Sequence, residues 1–210
     1  MIHWIKSNFE ALPLDEKANV WTHGFGLILA IVGIPFLLIH RAGLDMWALA
    51  IFLSGMIMMF FSSTIYHITN KDILKNKWRI VDHISIFLLI GSSYTAFILL
   101  YFPTPFGLKF LTAHWIIIIF GILFKVIFKT RFEIVSLTLY LCLGWMVVFI
   151  YQDITANMSS VVENWLLAGS AFYTIGVLFY IQTKLAWHHA IWHIFVILGC
   201  ASHYLALYLS

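Results

Sequence analysis

Seven mostly apolar stretches, at 20–39, 46–69, 80–102, 111–129, 133–151, 164–182 and 187–208, leave this chain few ways to fold. Each is near the roughly 20 residues that an α-helix needs to cross a bilayer's hydrocarbon core. Lipid offers no partner for a bare amide, so each stretch must pair its backbone groups internally, as a helix does. With 62% hydrophobic and 10% charged residues, the composition lies outside the soluble globular range. The expectation is an all-α integral membrane protein, a seven-transmembrane-helix bundle forming one domain over residues 1–210. Residues 1–19 would be a cytoplasmic interfacial segment, with Ile2, Trp4, Ile5, Phe9 and Leu12 on its apolar side. Lys6, Glu10, Asp15, Glu16 and Lys17 break any secretory-signal pattern there. The basic residues are scattered rather than gathered into a patch, which argues against a nucleic-acid partner. Cys142 and Cys200 fall inside predicted spans, where cysteines pack as small hydrophobes more often than they bridge.

Distribution of charge between loops sets an orientation. With the N-terminus inside, Lys6, Lys17, Lys71, Lys75, Lys77, Arg79, Lys125, Lys129, Arg131 and Lys184 all fall on the inner side, leaving only Arg41 and Lys109 outside. The positive-inside rule therefore predicts a cytoplasmic N-terminus, an external C-terminus and a multi-pass protein of the inner (plasma) membrane. That topology brings distant polar residues to one depth. His67 ends span 2, Asp82 opens span 3, and His189 and His193 open span 7, all near the cytoplasmic leaflet. His23, one turn into span 1, shares their level.

Ionisable groups inside spans are costly and usually functional. His189 and His193 differ by about 40° around a helix and about 6 Å along it, the spacing that lets two imidazoles bind one ion. Ser63 and His67 repeat that spacing. Three imidazoles with one open position make a catalytic zinc site, whose fourth ligand is a water with a pKa lowered to about 7. In this reading His67, His189 and His193 hold Zn2+. Asp82 is the base on the water or a partner behind the ligands, and Ser63 hydrogen-bonds the water or a ligand carboxylate. Two other readings stay open: polar side chains as interhelical glue, and a heme between facing histidines, which leaves Asp82 and the paired histidines unexplained.

Other histidines fit the metal less well. His188 points about 100° from His189, and His203 lies about 21 Å beyond it along the span, near the outer leaflet. His3, His40, His83 and His114 lie near loop or span boundaries, where an interfacial role is the default; His83 adjoins Asp82 and is the best placed of them for an extra contact.

The motifs Asn19-Val20-Trp21-Thr22-His23-Gly24, Ser63-x3-His67, Asp82-His83, His189-x3-His193 and Ser202-His203-Tyr204 together resemble the hemolysin III family. This is the bacterial branch of the progestin and adipoQ receptor (PAQR) family, in a superfamily that includes alkaline ceramidases. The resemblance spans nearly the whole chain. It implies a seven-helix bundle with an intramembrane zinc on the cytoplasmic side, held by the residues matching His67, His189 and His193 and lined by Asp82 and Ser63. It also implies hydrolysis of a lipid amide, a link to membrane homeostasis and, through the family's name, to cytolysis. No large N-terminal extension of the adiponectin-receptor kind is present, so hormone sensing is not implied.

Three functions compete. The leading one is zinc-dependent, ceramidase-like hydrolysis of a lipid amide or ester entering sideways from the inner leaflet. The second keeps the zinc structural in a receptor or sensor that binds a membrane lipid or fatty acyl ligand without turnover. The third, a pore or ion carrier, would prefer polar residues along a path through both leaflets, whereas here they concentrate on the inner side, with His203 the main exception.

Overall fold

A computed structural model describes residues 2–41 and 46–210, with side chains from Trp4 onward, so Ile2 and His3 are without described side chains. The elements are α1 (Ile2–Glu10), α2 (Leu14–His40), α3 (Met46–Ile68), α4 (Asp72–Tyr101), α5 (Pro105–Phe128), α6 (Glu133–Trp145), a 3-10 turn at Met146–Ile150, α7 (Tyr151–Thr155), α8 (Ser160–Tyr180) and α9 (His188–Tyr208). Among the described residues there is no strand. Seven units are long and apolar enough to cross a membrane, with α6, the 3-10 turn and α7 together forming one of them.

Helix boundaries depart from the apolar stretches where charge begins. The first span starts at Leu14 rather than residue 20, because Asp15 and Glu16 occupy the first turn, where carboxylates favour the helix dipole. The third starts at Asp72 rather than residue 80 for the same reason. Ahead of the first span, α1 ends at Glu10 and is tied back by Asn70, whose Nδ2 donates to the Asn8 carbonyl over 2.8 Å.

The fifth span is no single straight helix. Its ladder breaks after Trp145, and the Tyr94 hydroxyl fills the break, donating to the Gly144 carbonyl at 2.9 Å and accepting from the Val147 amide at 2.6 Å. His114, expected at an interface, is fully buried beneath Tyr94, with ring centroids 3.9 Å apart. Lys125, counted above among the inner-side charges, is also fully buried, in the last turns of α5. Its ammonium donates to the Ser136 hydroxyl at 3.4 Å.

Small residues set the helix spacing, as expected where lipid supplies no hydrophobic drive between helices. Between α3 and α4, a Cβ on Gly55 would stand 2.0 Å from Ser92 Oγ, and two turns nearer the site Ser62 donates to Ser85 at 2.9 Å. This antiparallel register carries Ser63 and His67 down beside Asp82. The first and last spans run parallel: Thr22 meets His193 at 3.0 Å, and the Tyr204 hydroxyl donates to the Gly33 carbonyl at 2.7 Å, both across a separation of 171 residues. In contrast, α8 packs along α9 and barely touches α6.

Candidate metal centre

The three histidines singled out by spacing meet. His67, His189 and His193 each present a ring nitrogen, and these atoms lie within 4.8 Å of one another. Their ring centroids are 4.6–5.0 Å apart. His67 and His193 are 2% and 1% exposed, and His189 is half-buried at the start of α9. The turn into that helix passes through Trp187 in a left-handed conformation, φ 63° and ψ 13°. A bulky residue held there costs on the order of 1–3 kcal/mol, and such strain clusters at functional sites.

Imidazoles repel if charged at this spacing and bury unpaired nitrogens if neutral, and a shared cation resolves both. His67 Nε2 is buried with no hydrogen-bond partner. Its Nδ1 is bound from behind by the Glu16 carboxylate at 2.5 Å, and the other Glu16 oxygen accepts from Lys75 at 2.8 Å. The donor set therefore fits a metal ion, and three neutral imidazoles suit zinc, copper, iron or nickel rather than a hard cation.

Asp82 and Ser63 stand outside this cluster and line the same cavity. Both are buried, and the Ser63 hydroxyl makes no hydrogen bond of good geometry. Of the three clustered histidines, His189 and His193 line this cavity as well. His23 is buried and stacks on His193 with centroids 3.5 Å apart, neither of its nitrogens hydrogen-bonded. His83 also lines the cavity, and His188 lies beside His189 outside the cluster.

The cavity encloses about 150 Å³. From the imidazoles it runs between Ile86, Leu89, Ile90, Leu137, Leu141, Val177 and Val196 towards the far half of the bundle. Its side wall is the sparse junction of α6 and α8, which Trp145 spans by donating from Nε1 to the Thr174 hydroxyl at 3.2 Å. At the far end His203 enters the same lining, packed against Phe97 and Tyr173. It is too distant for the cluster, as its place on the span requires, yet the void is continuous with it. Cys142 and Cys200 are both free; Cys200 is buried and accepts from the Tyr173 hydroxyl at 3.2 Å.

In the sequence alone Glu16 and Thr22 carried no role at the site, Glu16 standing as one charge among several and Thr22 as part of a motif. Their partners lie 51 and 171 residues away, so only their spacing with Asn19 and His23 along one stripe of α2 signals them.

Comparison with known proteins identifies the chain's family. The chain is 35% identical over 192 residues to the "Hemolysin-3 homolog" of Bacillus subtilis, covering 90% of both chains. It is 34% identical over 191 residues to "Hemolysin-3" of Bacillus cereus, covering 89% of this chain and 87% of that one. Human "Monocyte to macrophage differentiation factor" is 28% identical over 205 residues, covering 92% and 83%. The model of the family described as "Haemolysin-III related" matches residues 13–204, and the chain belongs to that family of multi-pass membrane proteins.

Proposed function

We propose that the protein is a zinc-dependent hydrolase of a lipid amide or ester in the plasma membrane, with its N-terminus and metal end on the cytoplasmic side. One observation carries this reading: two members of a three-histidine cluster, His189 and His193, line an apolar cavity whose wall also presents Asp82 and Ser63. A bound zinc would polarise the acyl carbonyl and acidify a water. The chain's own groups would do the rest. The apolar walls hold the acyl chain, and the α6–α8 junction admits it from the bilayer. Asp82 accepts the proton of the attacking water and returns it to the departing amine or alkoxide as the acyl bond breaks, while Ser63 orients the water or the headgroup.

The test is release of free fatty acid from a panel of N-acyl and O-acyl lipids by purified protein, zinc-loaded and chelator-stripped. Turnover that needs zinc and vanishes in Asp82→Ala, with metal retained, supports the reading. Stoichiometric lipid binding without release would replace it with a lipid-binding sensor. An ion-carrier reading draws on His203 lining the same void, but the walls between it and the imidazoles are largely apolar. Ion flux in proteoliposomes that His203→Leu abolishes would favour it.

A further inference from the structure

We infer that Glu16 and Thr22, on a helix that supplies no ligand, are the positioning residues that fix the ring protons and orientations of His67 and His193 for the metal. This rests on the metal reading above.

Imidazole binds a metal through a bare nitrogen, so its proton must sit on the other one. Which nitrogen carries it is set by the hydrogen bond that the other makes. The Glu16 carboxylate, paired with Lys75 at 2.8 Å, is an acceptor, so the 2.5 Å contact requires the His67 proton on Nδ1. That leaves Nε2, which is buried and makes no other bond, with its lone pair free. At Thr22 the hydroxyl proton has two takers in its own helix, the Ala18 and Asn19 carbonyls, at 2.9 and 3.0 Å. The oxygen therefore accepts from His193 Nδ1 at 3.0 Å, and Nε2 of His193 is likewise left bare. Asn19, buried between the two, donates to Glu16 at 3.5 Å. The residues at 16, 19 and 22 form one polar stripe of α2, aimed at the backs of two ligands from different helices. Carboxylate behind imidazole also raises ligand basicity, and such outer partners typically contribute 10–100-fold in metal affinity.

The test uses the full-length protein in detergent, stripped by chelator and titrated with Zn2+ against a chromophoric competitor, then with Co2+ followed by its visible absorption. Glu16→Ala should weaken zinc binding by about 10–100-fold. Glu16→Gln, which can still accept the hydrogen bond but lacks the charge, should fall between it and the wild type. Thr22→Val, which makes no demand on Glu16, should also weaken binding and shift the Co2+ spectrum. Wild-type zinc affinity and Co2+ spectra in both Glu16→Ala and Thr22→Val, with helicity intact, would overturn the assignment. A wild type that takes up no metal would instead remove the metal reading itself. Should Glu16→Ala fail to fold, Thr22→Val alone decides the matter for His193.

Discussion

Gly144 offers a sharp test of the cavity, because two substitutions at this one position should act in opposite ways on stability and on ligand. A Cβ built there meets nothing within 4 Å, so Gly144→Ala carries no steric cost. Alanine is favoured over glycine by about 0.8–1 kcal/mol in a helix interior, an upper bound at this position in the last turn of α6. The variant should therefore be more stable by up to about 1 kcal/mol, raising Tm by about 2–4 °C for a chain of this size. Gly144→Leu retains the helical advantage but thrusts an isobutyl group into a void of about 150 Å³, so lipid binding should weaken by at least about tenfold while the fold persists. Gly55→Ala is the contrasting case. Its Cβ would stand 2.0 Å from Ser92 Oγ and 2.7 Å from Ser92 Cβ, forcing α3 and α4 apart at an overpacking cost of about 1–3 kcal/mol. Thermal unfolding in detergent and binding of a fluorescent fatty acid measure both effects. A destabilised Gly144→Ala, or a Gly144→Leu that binds the fatty acid like the wild type, would refute the open wall from which this reasoning starts.

Other consequences are equally open to measurement. His193→Ala should lose the metal ion, read as zinc per chain by elemental analysis; full retention would remove His193 from the ligand set. Tyr94→Phe strips the two hydrogen bonds that prop the break in the fifth span and should cost about 1–3 kcal/mol in thermal unfolding. Lys125→Met replaces a buried cation, with Ser136 at 3.4 Å, by an apolar chain of similar length, and should raise Tm rather than lower it.

Apolar run length sufficed for the seven spans because backbone pairing in lipid is local, and each span answers the question alone. The depth argument that brought His67, Asp82, His189 and His193 to one end needed only the order of the spans. Boundaries escaped it where helices continue past the apolar run, as at Asp15 and Asp72, since hydropathy registers the lipid and not the helix. His114 was misplaced for a related reason: a polar side chain near the end of a span looks interfacial until a neighbouring helix covers it, as one also covers Lys125. Tyr94 shows the limit most plainly. Its hydroxyl bonds atoms 50 and 53 residues away, and nothing near Met146 announces a break in that helix. Glu16 behaved alike, appearing as one more charge before the first span until His67 came to stand against it.

The three clustered histidines also carry an order in time. His67 enters the membrane with the second span, but its two companions belong to the seventh, made after the other six. An unfinished bundle holds a single imidazole of the three and has no grip on an ion. On the proposed metal reading, uptake of the ion is thus a signature of completed insertion, and a chain stalled before α9 would be exposed by its failure to acquire one.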